Sequence, residues 1–359
     1  LQLGQTPGLL YSGRITSRLL SAFARINYIY KNKYYLTFTG RADGSSKFGT
    51  NNKWGFFPSK AVAWKLGEES FMETFDAISN LKLRASYGTT GSQSVAPYQS
   101  LSTYSISAVP MADEQLWTYT YPSNIANNDL KWATTKSING GFDLGLFKNR
   151  LSFTLDVYSK ETINLLINRE IPQATGFSTA AMNLGSMENK GIEFEVFYSV
   201  LNHSRFKWDT KLVLSHNKTI AKDLGGNPSL DGRKLSANHL TWPGNRTFEG
   251  EELGTFYGWV VDGLVQVDDF VDYHNGDLTI KTDEEGIPAF VPDGSDIYPG
   301  RLKYKDLNDD GQINEDDRQV IGNPNPDVVF GWNNEFSYRR FSVSMFFQGT
   351  YGNEILNFI

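Results

Sequence analysis

The residues best suited to chemistry form one acidic stretch late in the chain. Its oxygen-bearing side chains are spaced as in a calcium-binding loop, with Gly311 at the sharp turn: Asp306, Asn308, Asp310, Gln312 and Asp317. Calcium is held by six to eight hard oxygen ligands, and this spacing folds such ligands around one point. Asp317 stands where a glutamate is usual, which shortens the reach of a bidentate carboxylate. The spacing predicts a structural calcium ion in a long loop; the alternative is a solvated acidic turn without an ion.

Signatures of catalysis are otherwise lacking. The sequence has no G-x-S-x-G, no phosphate-binding glycine loop and no histidine pair at zinc spacing, and its four histidines (His203, His216, His239 and His274) are scattered. Glu193 and Glu195 share one face of a predicted strand and resemble a glycosidase acid pair. We favour the interpretation that Glu193 and Glu195 are acidic side chains exposed to water inside a channel. We therefore predict no catalytic residue and no enzyme.

Glu193 and Glu195 belong to one of a series of predicted strands, each with one apolar and one polar face. In the first predicted hairpin Ile26 and Tyr28 alternate with Arg25 and Asn27, and the pattern resumes after the turn at 31–33. Side chains of a strand alternate with period two, so one face is apolar and the other polar. Aromatic residues crowd the ends of the strands, which is typical of a membrane-interface girdle, although a soluble sandwich with an aromatic core is the alternative.

Ten such strands are predicted, at about 20–30, 34–43, 55–66, 81–90, 132–147, 150–160, 188–199, 206–216, 327–338 and 341–350. Every connection of two to six residues falls on one side of the predicted sheet. If the turn 31–33 is placed on the periplasmic side of a membrane barrel, the other periplasmic connections are 67–80, 148–149, 200–205 and 338–340. The external loops are then 44–54, 91–131, 161–187 and the very long 217–326. Of these connections only 67–80 reads as a helix, with acids in its first turn. Sorted turns are typical of an outer-membrane barrel.

Composition supports this interpretation. Aromatic residues make up 14% of the 359 and charged residues 21%, yet no apolar run approaches the ~20 residues of a membrane helix. A barrel reconciles these values because only every second residue must face lipid. The net charge of −6 argues against nucleic acid as a partner. With no cysteine, a disulfide framework is excluded.

Several segments together resemble the SusC/RagA family of TonB-dependent outer-membrane transporters of Bacteroidota. They occur in family order across nearly the whole chain: 40–48 (GRADGSSKF), 54–59 (WGFFPS), 81–88 (LKLRASYG) with 90–91, 128–132 (NDLKW), 189–193 (NKGIE), 306–326, and 346–352 (FFQGTYG). Each motif is short, but the ordered set is specific.

The resemblance implies a barrel of the ~22-stranded, plugged type that imports oligosaccharides or peptides. It also implies a SusD-like surface lipoprotein as partner, energy from the TonB–ExbB–ExbD complex, and a multi-pass location in outer-membrane lipid. We therefore expect an all-β fold: a portion of an antiparallel transmembrane β-barrel, of about ten strands with short periplasmic turns and long extracellular loops.

Residues 1–359 are expected to belong to one barrel domain, without the plug, the N-terminal accessory domain, a signal peptide or the last strands. Two alternatives stay open: a surface-exposed β-rich glycan-binding or adhesin module without transport, and a β-sandwich or propeller glycosidase.

Overall fold

The structure, a computed structural model, describes residues 14–110, 116–232, 234–237, 240–294 and 297–356. Its main feature is one antiparallel ten-stranded sheet in which strands follow one another in chain order. We number these strands β1 Leu19–Tyr30, β2 Tyr34–Ser45, β3 Trp54–Lys65, β4 Ile78–Ser92, β5 Ala133–Leu146, β6 Leu151–Glu170, β7 Thr179–Asn202, β8 Phe206–Asp223, β9 Val328–Tyr338 and β10 Phe341–Tyr351. The ten predicted strands are confirmed. Within the described residues, no helix is long and apolar enough to cross a membrane.

Tight turns connect the strands at one end of the sheet. At the β1–β2 turn Lys31 and Asn32 have φ of 50° and 55°, and at the β5–β6 turn Lys148 and Asn149 both have φ of 59°. Three residues (31–33) and four residues (147–150) lie outside the strands at these turns. Left-handed conformations let such short turns match the twist of the strands, and asparagine adopts them more readily than other residues except glycine. The predicted sorting of short turns to one end is confirmed.

The strand registers place the apolar side chains on one face. A single row of paired residues crosses nine strands on this face: Tyr30, Tyr34, Trp64, Leu83, Phe142, Leu155, Phe194, Leu214 and Phe330. A row on the opposite face holds small or polar residues: Asn27, Thr37, Ala61, Ser86, Asn139, Tyr158, Gly191 and Asn217. Lys60 is an exception on the apolar face, and its Nζ lies 5.8 Å from the centroid of the Tyr87 ring.

A small hydrophobic cluster lies at the long-loop end of β3. It consists of Phe48, Phe57, Val95, Leu130 and Trp132, all of them buried. The centroid of the Trp132 ring lies 4.6 Å from the ring centroid of Phe48 and 5.6 Å from that of Phe57. Three of the segments that carry the family resemblance (40–48, 54–59 and 128–132) therefore meet in one packed cluster.

The helix predicted at 67–80 is wrong. The segment forms two 3-10 turns, Leu66–Glu68 and Ser70–Met72, separated by Glu69 in extended conformation. The Glu69 carboxylate accepts hydrogen bonds from the Tyr34 hydroxyl at 2.7 Å, the Trp64 Nε1 at 3.0 Å and the Lys33 Nζ at 3.0 Å. These contacts tie Glu69 to the strand ends and interrupt the helical path. They also lower the pKa of Glu69 to about 2, the Tyr34 hydrogen bond contributing most.

The long loops also differ from the prediction. β6 and β7 remain paired out to Glu170 and Thr179, so the predicted loop 161–187 shrinks to 171–178, with one 3-10 turn at Gln173–Thr175. The loop 93–132 contains a hairpin of its own, Thr103–Pro110 with Leu116–Asn124. β8 runs to Asp223, so the connection predicted at 217–326 spans 224–327.

The chain divides into two compact units, Leu1–Pro228 with Val329–Gly349, and Ser229–Val328 with Thr350–Ile359. The second unit is built from short strand pairs: Ser229–Asp231 with Arg246–Phe248, Lys234–Ala237 with Leu240–Pro243, Phe256–Trp259 with Arg318–Gly322, Val261–Leu264 with Leu302–Tyr304, and Phe270–Asp272 with Asp277–Ile280. Its 3-10 turns are Val267–Asp269, Tyr273–Asn275 and Glu315–Asp317. Val265 and Phe270 are the most buried apolar residues in the part of this unit that the structure describes.

Candidate functional site on the polar face of the sheet

An arginine on the polar face joins three strands. Arg84 of β4 donates to both carboxylate oxygens of Asp143 on β5, at 3.0 and 3.1 Å, and to both of Asp156 on β6, at 3.0 and 2.9 Å. All three side chains are partly buried, between 20% and 29% exposed. Bidentate arginine–carboxylate pairs are among the strongest polar contacts in proteins.

The register explains how these side chains meet. Arg84, Gly141, Asp156 and Glu193 occupy one row across β4 to β7. A Cβ at Gly141 would lie 2.5 Å from Asp156 Oδ1 and 2.6 Å from the Leu155 carbonyl oxygen. Only glycine leaves the space through which Arg84 reaches the second neighbouring strand.

The two glutamates proposed as an acid pair belong to this charged surface. Glu193 lies directly opposite Asp156 in the register. Glu195 forms an ion pair with Lys211 of β8, with 2.8 Å between Glu195 Oε1 and Lys211 Nζ. Glu195 is thus engaged by a cation. The arrangement fits the interpretation of these acids as wall residues of a watery space.

A cleft of about 440 Å³ lies on the same sheet, where β2, β3 and β4 adjoin. Its lining is rich in hydroxyl groups and includes Thr37, Thr39, Ser59 and Ser86. The lining also holds the ion pair of Arg41 with Asp43, at 2.8 Å. Such a surface offers hydrogen bonds to a polar solute.

The acidic loop of the second unit holds the five predicted metal residues. Asp306 accepts hydrogen bonds from the backbone N–H groups of Asp310 and Gly311, and the Asp310 carboxylate accepts from the backbone of Gln312 and from Asn308 Nδ2. Gly311 has the positive φ of 78° that its turn requires. The loop thus adopts a compact turn whose oxygens are engaged by its own N–H groups.

Asp317 closes the loop from within. Its carboxylate is wholly buried and accepts from the backbone N–H groups of Asn314 at 2.7 Å and Leu307 at 2.9 Å. These hydrogen bonds, with that of Asn314 foremost, hold the pKa of Asp317 below its ordinary range. Trp259 anchors the same loop, because its Nε1 donates to the Asn314 carbonyl at 2.6 Å and its ring lies 4.0 Å from the Arg318 guanidinium.

Among the described residues, no group of three or more His, Cys, Asp or Glu side chains is arranged to hold a metal ion. The calcium site therefore stays a prediction. His239 lies outside the described residues, and the other three histidines lie on separate elements, in the 203–205 turn, on β8 and at Tyr273–Asn275.

The hairpin in the loop 93–132 exposes an aromatic row. Trp117, Tyr119 and Tyr121 alternate along its second strand and are between 43% and 57% exposed. The rings of Tyr119 and Tyr121 lie 5.7 Å apart. The first strand places Ser105, Ser107 and Val109 opposite this row.

The alternation in the predicted strands 81–90 and 150–160 puts Arg84 and Asp156 on the polar face, but alternation alone does not pair them. Neither their pairing nor the part played by Asp143 was predicted. The pairing depends on the registers of three strands, and these join residues 59 and 72 positions apart. The available signal was an arginine and two aspartates at inward positions of consecutive predicted strands.

Comparison with known families gives a match over most of the chain. A family described as "TonB dependent receptor-like, beta-barrel" matches residues 2–292. TonB-dependent receptor P26 of Formosa agariphila is 38% identical over 355 residues, covering 98% of this chain and 34% of the relative. TonB-dependent receptor P3 of the same organism is 36% identical over 342 residues, covering 95% and 32%. TonB-dependent receptor SusC of Bacteroides thetaiotaomicron is 29% identical over 345 residues, covering 94% and 31%.

Solved structures share the fold. The RagAB peptide importer in its "open-open" state superposes with a TM-score of 0.71 at 23% identity, covering 94% of this chain and 33% of that chain. The structure of the RagAB peptide transporter gives a TM-score of 0.68, also at 23% identity, with coverages of 94% and 34%. The chain thus spans about a third of the length of the relatives that it matches.

Proposed function

Because the chain belongs to the TonB-dependent receptor-like β-barrel family, and within it resembles the SusC proteins of the outer membrane, we propose that it forms part of the barrel wall of an active transporter. The transported solute is an oligosaccharide or a peptide. Transport is energised through the TonB–ExbB–ExbD complex. A SusD-like surface lipoprotein delivers the solute at the extracellular side.

The charged polar face is the observation that carries this proposal. Arg84, Asp143, Asp156, Glu195 and Lys211 lie on the face opposite the apolar rows. Charged side chains on the lipid side of a barrel are costly, whereas in a lumen they remain hydrated. A sheet with one face suited to lipid and one suited to water is a barrel wall around a polar path.

Two similarities guide the choice of cargo and partner. One relative is named SusC, and the structural neighbours are named peptide transporter and peptide importer. The cleft near Thr39 and Ser59 offers hydroxyl groups that suit sugar hydroxyls and peptide amides alike. Both cargo classes therefore stay in the proposal.

The test is to purify the full-length receptor gently from the outer membrane of its host and identify what is recovered with it. We expect a SusD-like lipoprotein, and uptake of labelled oligosaccharide or oligopeptide that is lost when TonB is deleted. Recovery of the receptor alone, with uptake independent of TonB, would refute the proposal.

The aromatic hairpin supports a second candidate, a surface module that binds glycans without transporting them. Its exposed row of Trp117, Tyr119 and Tyr121 suits stacking against sugar rings. Trp117→Ala separates the two candidates. If the protein is a binding module, Trp117→Ala should lose adhesion to glycans, and neither the parent nor the variant should take up solute. If it is a transporter, the parent should take up solute.

For the acidic loop we keep calcium as the proposed structural ion. Calcium prefers hard oxygen ligands. In this loop such oxygens would come from Asp306, Asn308, Asp310, Gln312 and Asp317. Binding would require the first three side chains to turn from their present hydrogen bonds toward a common point. The ion would stiffen the loop.

A further inference from the structure

The tight turns at one end of the sheet carry positive charge and no negative charge. Four of them join β1 to β2, β5 to β6, β7 to β8 and β9 to β10, and together they comprise twelve residues: 31–33 (KNK), 147–150 (FKNR), 203–205 (HSR) and 339–340 (RR). Seven of the twelve are Lys or Arg, and none is Asp or Glu. The chain as a whole has a net charge of −6, so these turns do not simply follow its composition.

The geometry of the turns does not explain the sign of their charge. Aspartate suits a tight turn as well as asparagine does, yet it occurs in none of the four. Lys31, Lys148 and Arg339 themselves adopt the left-handed region, with φ of 50°, 59° and 55°. Glycine or asparagine would occupy that region with less strain. A function of the side chains accounts for these cations better than the shape of the backbone does.

Most of this charge has no carboxylate beside it. Lys33 is paired with Glu69, at 3.0 Å, but in the described part of the chain the other six cations form no ion pair. Arg150 donates to two backbone carbonyl groups of β7, at 2.8 and 2.6 Å, and these carry no net charge. The remaining connection at this end, 66–77, supplies three further acids besides Glu69. Seven cations against four acids still leave the end positively charged.

The charge is densest at the last two turns. Arg205, Arg339 and Arg340 are all exposed, and the backbone N–H of Arg339 donates to the carbonyl oxygen of Arg205 at 3.0 Å, which holds the two turns side by side. Asp209 and Glu335 are the acids nearest to them along these strands, and they lie opposite each other on the polar face. Three guanidinium groups in adjacent turns repel one another, and a bound anion would relieve that repulsion.

Tyrosines place these cations at a definite level. On the apolar face a tyrosine stands at or near the strand end and contacts a cation of the turn, as measured from its ring centroid: Tyr30 with Lys31 Nζ at 5.4 Å, Tyr198 with the Arg150 guanidinium at 5.8 Å, and Tyr338 with the Arg339 guanidinium at 5.5 Å. The three tyrosines are between 37% and 49% exposed. Tyrosines at the ends of an apolar face lie at the membrane–water interface. The cations next to them therefore lie among lipid headgroups.

We propose that these exposed cations, which we call the basic edge, bind the phosphate groups of phospholipids in the leaflet around the short turns: Lys31, Lys148, Arg150, Arg205, Arg339 and Arg340. Strands of a sheet lie about 4.8 Å apart, so the edge extends over about 40 Å, which suits a row of headgroups better than one small solute. At its densest point one phosphate bridges the guanidinium groups of Arg205 and Arg339. These contacts fix the depth of the sheet in the membrane, and they do not depend on the transported solute.

The test uses the full-length receptor, delipidated in detergent, with phosphatidylglycerol and a diacylglycerol of the same acyl chains as probes in native mass spectrometry. Arg205→Gln/Arg339→Gln is expected to lower the affinity for phosphatidylglycerol about twentyfold, since each cation near an anionic headgroup contributes about fivefold. Arg205→Lys/Arg339→Lys should keep most of the affinity. The weak binding of diacylglycerol should be equal in all forms, which also shows that each variant is folded.

Lys82→Gln/Lys207→Gln is the matched control, because it removes the same charge from the polar face of the sheet. Its binding of phosphatidylglycerol should equal that of the parent, and inorganic phosphate at the concentration of the lipid should not compete. Equal losses in the two glutamine variants, equal affinity for both lipids, or displacement by inorganic phosphate would each overturn the proposal. So would unchanged lipid binding with loss of an acidic protein from Arg205→Gln/Arg339→Gln, which would make the edge a protein-docking surface.

Discussion

Two adjacent glycines on β5 offer a matched test of the charged network. At Gly141 an added methyl group would lie 2.5 Å from Asp156 Oδ1 and 2.6 Å from a backbone oxygen of Leu155. The backbone oxygen cannot withdraw without disturbing the ladder between β5 and β6. Gly141→Ala should therefore displace Asp156 from Arg84 and destabilise the barrel by roughly 1–3 kcal/mol, as overpacking typically does.

Gly140→Ala is the control, one residue away on the opposite face. A Cβ there meets nothing within 4 Å, and the backbone is not in the left-handed region. The change should leave stability unaltered or raise it by about 0.4–1 kcal/mol, because alanine restricts the unfolded chain. The two neighbouring substitutions are thus expected to have opposite signs or at least very different sizes.

The assay is guanidinium titration of the full-length receptor folded into lipid vesicles, comparing the midpoints of the two variants with that of the parent. If Gly141→Ala unfolded at the same midpoint as Gly140→Ala, the methyl group would be accommodated. The close packing of Arg84, Gly141 and Asp156 would then be refuted.

Three further predictions concern the membrane face, a turn and the acidic loop. Val196→Arg, on the apolar face about six residues from the end of β7, should cost roughly 2–4 kcal/mol of stability in vesicles. Thr154→Arg, between Asp143 and Glu195 on the polar face, should fold nearly normally. Equal stability of the two variants would contradict the assignment of faces. Because the pKa of Glu69 falls from 4.5 to about 2 on folding, its contacts stabilise the turn at pH above 4.5 and are lost as the pH falls through about 2. Proteolysis of 66–77 should rise in that interval in the parent, and Glu69→Gln should remove that dependence; an unchanged pH profile in the variant would count against the contacts. Chelation should accelerate proteolysis of the loop 306–317 in the parent but not in Asp306→Ala, and identical cleavage of the parent with and without calcium would exclude the ion.

The strands of the sheet were predictable because their alternation is a local property. Tyr34, Leu36 and Phe38 repeat with period two, and a lipid face next to a watery face permits no other periodicity. The extension of β6 and β7 to Glu170 and Thr179 was not predictable in this way. β6 is 20 residues long, about twice what crosses a bilayer, so its outer part is not required to keep one apolar and one polar face.

The interactions of the charged residues depended on information that a single sequence does not carry. Arg84 contacts two carboxylates only because the register places Gly141 between it and Asp156. The helix at 67–80 failed for a related reason. Glu69 was interpreted as a favourable first-turn acid, but its carboxylate accepts hydrogen bonds from Tyr34 and Trp64 at strand ends and from Lys33 of the β1–β2 turn.

In the proposed transporter, one face of this sheet meets lipid and the other lines a watery lumen. These 359 residues contain no cysteine. Single cysteines at Thr154 and Leu155 can be introduced into the full-length receptor after any cysteine elsewhere in it has been replaced, and they can be labelled in intact outer-membrane vesicles. Neighbouring in sequence, these residues lie in rows on opposite faces of β6. Thr154→Cys should react with a small water-soluble maleimide and Leu155→Cys should not. Reaction of Leu155→Cys alone, or equal reaction at both positions, would show that the lipid face and the lumen face are wrongly assigned.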